Sequence, residues 1–74
     1  MNTDNLIRMG NRIGAFFAAM PNRDEAMNDI AQHVRRFWEP RMRMQLFAHL
    51  DAHQGEGIDA IVKDALLRHR ALFN

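Results

Sequence analysis

Three breaks in helical periodicity constrain this sequence most, because only short segments remain between them. Pro21 and Pro40 cannot lie inside a regular helix, since proline lacks the backbone N–H and clashes with the preceding turn. The run Gly55-Glu56-Gly57 is a third break, because glycine readily takes positive φ in turns. The four remaining segments repeat apolar residues at helical spacing and show no strand-like alternation. The sequence therefore predicts an all-α fold of four short helices, either bundle-like or orthogonal.

The predicted helices cover about residues 3–20, 23–38, 40–53 and 58–72 of one domain, residues 1–74. Thr3 or Asn2 can cap the first helix, and Asn22 with Glu25 forms a capping box for the second. Pro40 suits the first position of the third helix, where its missing N–H costs nothing. The positions expected to face the core are Leu6, Met9, Ile13, Phe16, Phe17 and Met20, then Ala26, Ile30, Val34 and Phe37, then Met42, Leu46, Leu50 and His53, and finally Ile58, Ile61, Val62, Ala65, Leu66, His69, Leu72 and Phe73.

A stripe of small residues, Gly10, Gly14 and Ala18, runs along the first predicted helix. Each glycine inside a helix costs about 1 kcal/mol relative to alanine. Two glycines on one face predict that another helix backbone approaches closely there, either from this chain or from another. The alternative is two tolerated surface glycines.

Composition argues against most kinds of catalysis. The chain has 74 residues and no cysteine, which excludes disulfides and thiolate metal sites. It also lacks serine and tyrosine, and Thr3 is its only threonine. Because these side chains supply most covalent nucleophiles, we expect the chain not to be an enzyme by itself. His49 and His53 are four residues apart, but zinc would need a third ligand, which His33 or His69 could supply only if the fold brought it close. We therefore interpret His49 and His53 as polar helix residues and expect no metal or cofactor site.

Charge and hydropathy point to a protein without nucleic acid or membrane as its partner. A net charge of +1 does not favour a generally basic nucleic-acid binder. No signal peptide is evident at the start, and no apolar run approaches the roughly 20 residues of a membrane-spanning helix. The expected location is the cytoplasm.

The junction between the second and third predicted helices is the best candidate for a functional site. It holds the only tryptophan and four arginines. Arg41 and Arg43 fall in the first turn of a helix, where positive charge opposes the helix dipole by about 0.3–1 kcal/mol each. Glu39 can offset this by pairing with Arg43 or Arg35, and an arginine can stack on Trp38. The residues interpreted as partner-binding are Arg35, Phe37, Trp38, Pro40, Arg41 and Arg43.

Arginine together with aromatic residues is the composition enriched at interface hot spots, so a protein interface is the main hypothesis. Two alternatives stay open. The junction could be a solvated basic corner around a core tryptophan, or it could bind phosphate in a small nucleic-acid-binding module.

The junction also resembles a known family. The residues Phe37-Trp38-Glu39-Pro40-Arg41-Met42-Arg43 are similar to a signature of the delta subunit of NAD-dependent, molybdenum-containing formate dehydrogenase. The blocks Leu6–Phe17 and Ile30–Val34 are similar to other parts of that family, and the resemblance covers roughly Leu6 to Leu50. Gly10, Arg12 and Gly14 depart from the alanine, glutamine and alanine expected nearby.

The resemblance implies a small noncatalytic subunit of a complex that converts formate and NAD+ to CO2 and NADH. Other subunits of such a complex carry bis-molybdopterin guanine dinucleotide, iron–sulfur clusters and FMN, and the delta subunit carries no cofactor. The implied partners are the catalytic and electron-transfer subunits, and the implied role is assembly or stability through docking on the catalytic subunit. An alternative is a transient maturation factor that binds the apo-enzyme or its molybdenum cofactor. Self-association of the isolated chain is a further open expectation.

Overall fold

The computed structural model describes residues 2–73, which form four α-helices and contain no strand. The helices are α1 (Thr3–Phe17), α2 (Arg23–Phe37), α3 (Pro40–His53) and α4 (Ala60–Arg68), and a 3₁₀ helix (Arg70–Phe73) follows α4. The predicted all-α fold class is confirmed. Met1 and Asn74, the ends of the predicted domain, lie outside the described residues. Among those residues, no helix is long and apolar enough to cross a membrane.

The first helix starts where predicted but ends earlier. The Asn2 side chain accepts a hydrogen bond from the Asp4 N–H at 2.8 Å, so Asn2 rather than Thr3 is the cap. Helix α1 ends at Phe17, three residues before the predicted end. Proline disfavours helical geometry in the residue before it, and Met20 precedes Pro21. The chain therefore leaves the helix in a turn, in which the Met20 N–H donates to the Phe17 carbonyl at 3.0 Å.

The second and third helices lie close to their predicted limits. The Asn22 side chain accepts from the Glu25 N–H at 3.0 Å, as expected for the start of α2. Helix α3 has the predicted limits, with Pro40 in its first turn. Helix α2 ends at Phe37, one residue early, because both residues between Phe37 and Pro40 adopt extended backbone geometry.

The fourth helix is shorter than predicted at both ends. Gly55 and Gly57 take φ values of 69° and 87°, and the chain does not become helical until Ala60. Asn11 of α1 holds this turn, since its side chain donates to the Gly57 carbonyl at 2.9 Å and accepts from the Asp59 N–H at 2.8 Å. Asp59 is thus the residue before α4 and not part of its first turn. After Arg68 the backbone tightens into the 3₁₀ helix.

One hydrophobic core joins all four helices. Helix α2 packs against α4 and α1, and α1 also contacts α3 and α4. Within the described part of the chain, no polar or charged residue is buried. The core side chains are Leu6, Met27, Ile30, Val34, Trp38, Leu46, Leu50, Ile58, Val62, Ala65 and Leu66.

The face of helix α1 that carries the glycines packs against the core, so two of the core positions predicted for this helix are wrong. Leu6, Gly10 and Gly14 are buried, whereas Met9 and Phe16, predicted to face the core, are exposed. The prediction of a close helix contact at the glycines is correct, and the neighbour is Val62 of α4 in the same chain. Because two helix backbones can approach closely only over residues without bulk, the larger side chains lie on the flank of the contact.

Three further residues differ from their predicted positions. Ala18, the last member of the small-residue stripe, is exposed beyond the end of α1. Phe37 and His53, both predicted to face the core, are exposed as well.

Candidate protein-interaction site

The corner between α2 and α3 is built by the backbone of three residues. The Trp38 N–H donates to the Val34 carbonyl at 3.0 Å and closes the last turn of α2. Trp38 and Glu39 are extended, with ψ values of 140° and 149°. Because Pro40 disfavours helical geometry at Glu39 but suits the first turn of a helix, the chain bends here and starts α3 at once.

Trp38 and Phe37 lie next to each other but have opposite environments. Trp38 is 6% exposed and belongs to the core, where the Cη2 of its ring lies 4.0 Å from the position of a Cβ added to Gly10. Phe37 is 70% exposed. Trp38 therefore anchors the corner from inside, while Phe37 is the aromatic residue that a partner can reach. Direct contact between Trp38 and a partner stays a prediction.

Arg35 and Arg43 are held by backbone carbonyls of this chain. The Arg43 Nη1 donates to the Arg35 carbonyl at 2.5 Å, and the Arg35 Nε donates to the Leu72 carbonyl at 2.9 Å. These bonds tie α2, α3 and the 3₁₀ helix together. The predicted pairing of Glu39 with Arg35 or Arg43 is wrong, since both guanidinium groups take carbonyl partners instead.

Besides Arg35, two arginines of the corner are exposed, Arg41 and Arg36. Neither has a hydrogen-bond or ion-pair partner among residues 2–73. Arg41 also lies in the first turn of α3, which contains no acidic residue, although Glu39 is the N-cap residue just before it. With Phe37 and the exposed Pro40, these arginines form the outward side of the corner.

A cleft of about 430 Å³ adjoins the corner between α3 and the 3₁₀ helix. Arg70 forms two hydrogen bonds to Asp51, at 2.9 and 2.5 Å, and its Cζ lies 4.9 Å from the centroid of the Phe47 ring. The hydrogen bonds from Arg70 lower the pKa of the Asp51 carboxyl below its ordinary value. From the sequence, an arginine was expected to stack on Trp38. Among the described residues, the cation–π contact is instead the one between Arg70 and Phe47.

A row of four rings, called the aromatic row below, connects the C-terminal end of α1 to the C-terminal part of α2. It consists of Phe16, Phe17, His33 and Phe37, with successive ring centroids 5.0, 6.1 and 4.8 Å apart. His33 thus packs between the rings of Phe17 and Phe37. Sequence reasoning missed the row as a surface feature, because Phe16 and Phe37 have the spacing of core residues.

The remaining histidines form no ligand cluster. The Nε2 of His49 lies 2.7 Å from the Glu56 carbonyl oxygen, and the ring centroids of His49 and His53 are 5.4 Å apart. In the described residues, no group of three or more histidine, cysteine, aspartate or glutamate side chains is placed to hold a metal ion.

The sequence was also compared with known proteins. A family model described as NADH-dependent formate dehydrogenase delta subunit FdsD matches residues 5–66, which run from α1 into α4. No significant match was found among curated proteins or among solved structures.

Proposed function

Since this chain belongs to the NADH-dependent formate dehydrogenase delta subunit family, we propose that it is a noncatalytic subunit that docks on the catalytic subunit of that enzyme. The match over residues 5–66 is the observation that carries the proposal. In this role the chain supports assembly or stability of the cytoplasmic complex. The oxidation of formate, the reduction of NAD+ and the cofactors for both belong to the catalytic and electron-transfer subunits.

The side chains available in this protein support a noncatalytic role. The sequence offers a single hydroxyl side chain, Thr3, and no thiol or phenol. The Thr3 Oγ1 accepts a hydrogen bond from the Gln45 Nε2 at 2.8 Å, which ties α1 to α3. The interior is filled by apolar side chains that hold the helices together. These features suit a domain that acts by binding a partner protein through its surface.

The outward side of the corner supports docking through charge and exposed aromatic area. Arg41 has an exposed guanidinium group that lacks an internal partner within the described chain, and the dipole of α3 disfavours its charge. A carboxylate on the partner would relieve that cost. Phe37, four residues earlier in the sequence and 70% exposed, offers apolar area at the same corner.

Charge reversal at Arg41 tests the proposal. The catalytic subunit is tagged and co-expressed with this chain, and the amount that co-purifies is measured. We expect Arg41→Glu to weaken the association roughly tenfold or more, which corresponds to about 1.4 kcal/mol. Arg23→Glu is the matched control, because Arg23 pairs with Asp64 on an exposed surface at 2.8 Å. Circular dichroism should show the same helix content for both variants. Undiminished co-purification of Arg41→Glu would remove Arg41 from the docking surface.

The stoichiometry of the purified complex separates a subunit from a maturation factor. A subunit remains at a fixed ratio to the catalytic chain in the active, cofactor-loaded enzyme. A maturation factor is enriched on the enzyme without its molybdenum cofactor and is lost after loading. We expect the fixed ratio, and preferential capture by the apo-enzyme would replace the proposed function with the maturation role.

A further inference from the structure

The exposed flank of α1 carries arginines and large apolar side chains in alternation. Arg8, Met9, Arg12 and Phe16 are all exposed, on the flank of α1 away from its buried glycine face. Arg12 borders two shallow depressions, one beside Arg8 and Met9 and the other beside Phe16 and His33. The two depressions therefore form one continuous surface along α1.

The aromatic row extends this surface onto α2. Phe16 at one end of the row is 74% exposed, and Phe37 at the other end is exposed to a similar extent. Phe17 and His33 lie half-buried between them. A phenylalanine side chain has few rotatable bonds, so a partner could bury Phe16 and Phe37 with a modest loss of side-chain entropy.

The charge around this surface is positive and unneutralised. Arg8, Arg12 and Arg36 have no ion-pair or hydrogen-bond partner within residues 2–73. The carboxylates nearest in sequence are Glu39, two residues after Phe37, Asp4, one turn before Arg8, and Asp29, one turn before His33. Within residues 2–73, none of the three forms an ion pair with Arg8, Arg12 or Arg36. Three arginines elsewhere on the molecule form ion pairs with aspartates. These pairs are Arg23–Asp64, Arg68–Asp24 and Arg70–Asp51.

We propose that this surface, defined by Arg8, Met9, Arg12, Phe16, His33 and Phe37 and called the α1–α2 face, docks on an acidic protein surface with apolar pockets for Phe16 and Phe37. The inference rests on the proposed function, so the acidic surface belongs to the catalytic subunit of formate dehydrogenase. Charge complementarity selects this occupant. A second copy of the chain would bring like-charged arginines together around the rings, which is unfavourable. The α1–α2 face meets the corner at Phe37, and docking would use both.

Two substitutions on α1 test the α1–α2 face without touching the core. In co-purification with the tagged catalytic subunit, we expect Phe16→Glu and Arg12→Glu each to weaken binding at least tenfold. Leu67→Glu is the control for an apolar residue, because Leu67 is 49% exposed on α4, outside the face. Arg23→Glu is the control for an arginine. Both controls should bind within about twofold of the unaltered chain.

Salt dependence provides a second readout. Raising the NaCl concentration weakens an interaction between arginines and carboxylates, since salt screens exposed charges. Binding of the unaltered chain should therefore fall with salt more steeply than the residual binding of Arg12→Glu. Equal slopes for the two proteins would contradict an acidic partner surface.

The outcomes separate this inference from the proposed function. If the unaltered chain does not co-purify with the catalytic subunit, the proposed function fails and the inference fails with it. If the unaltered chain binds and both α1 variants bind equally well, only the inference is overturned. Sedimentation of the isolated chain tests whether a second copy of the chain covers the α1–α2 face instead. A dimer that Phe16→Glu converts to a monomer would show that it does, and would overturn the inference.

Discussion

Gly14 of α1 lies so close to Val62 of α4 that a Cβ added to the glycine would stand 2.3 Å from Val62 Cγ2. One turn earlier, a Cβ added to Gly10 would lie 3.8 Å from Val62 Cγ1, which is ordinary van der Waals contact. The two glycines therefore have different roles. Gly14 permits the approach of the two helices, whereas Gly10 has room for a methyl group.

Alanine substitutions at the two glycines should have opposite effects on stability. We expect Gly14→Ala to lower the free energy of unfolding by about 1–2 kcal/mol. Overpacking costs about 1–3 kcal/mol, and the better helix propensity of alanine offsets up to about 1 kcal/mol of it. Val62 is fully buried and stiff at χ1, so it cannot turn away cheaply. Gly10→Ala should raise the free energy of unfolding by up to about 1 kcal/mol. Urea denaturation of both variants measures the difference.

A double-mutant cycle identifies Val62 as the cause. Truncating Val62 to alanine creates space, so Gly14→Ala should cost less in that background than in the native one. Additive effects of Gly14→Ala and Val62→Ala would show that the destabilisation arises elsewhere.

Truncating the two aromatic residues of the corner should affect stability differently, because Trp38 is buried and Phe37 is exposed. We expect Trp38→Ala to cost about 3–5 kcal/mol of unfolding free energy, because it removes a core side chain that joins α1 to the corner. Phe37→Ala should change stability by less than about 0.5 kcal/mol, since Phe37 is exposed. Thermal unfolding followed by circular dichroism compares the two variants directly. A large loss of stability in Phe37→Ala would mean that its ring contact with His33 carries more weight than its exposure suggests.

Arg35 and Arg36, adjacent in the last turn of α2, allow a matched comparison that tests the contact between α2 and the 3₁₀ helix. The Arg35 Nε donates to the Leu72 carbonyl, whereas Arg36 has no partner among residues 2–73. We expect Arg35→Ala to weaken the 3₁₀ helix by about 0.5–1.5 kcal/mol, the typical contribution of one hydrogen bond. The Leu72 amide, which donates to the His69 carbonyl at 2.9 Å, should then exchange its hydrogen faster. Arg36→Ala is the control and should leave that exchange rate unchanged.

The helices could be predicted because their signals are local. A side-chain cap at Asn22, a proline at the start of α3 and two glycines in the turn before α4 each act within one turn of the chain. Helical periodicity supplied most of the core for the same reason. The family resemblance also held, since the matching model covers the blocks from which it was inferred.

The facing of α1 could be predicted only in part: the glycines indicated a close helix contact, but which bulky residues reach the core depends on a neighbour. Leu6, Met9, Phe16 and the two glycines all have helical spacing, and periodicity treats bulky residues as the core. The close approach of Val62 reverses this choice, because only the glycine side lets α4 come near. The partners of Arg35, Arg43 and Arg70 were missed for a related reason. Two of them are backbone carbonyls, and Asp51 lies 19 residues from Arg70 in sequence.

The pair Asp51 and Arg70 should give stability that depends on pH at the acid end. Hydrogen bonds from Arg70 lower the pKa of Asp51 in the folded protein below its ordinary value of 3.8. A carboxyl group with a lowered folded pKa stabilises the fold above its unfolded pKa, and this contribution is lost as the pH falls through the folded pKa. Arg70→Gln removes the guanidinium donors, so the pKa of Asp51 should rise back towards 3.8.

Carboxyl chemical shifts measured by NMR across an acid titration provide the measurement for this pair. Arg68→Gln is the control, because Arg68 pairs with Asp24 and not with Asp51. In that control the titration of Asp51 should stay as it is in the native protein. If Asp51 titrates at the same pH with and without Arg70, the two hydrogen bonds do not persist in solution. The cleft beside α3 would then lose the ion pair that fixes its edge.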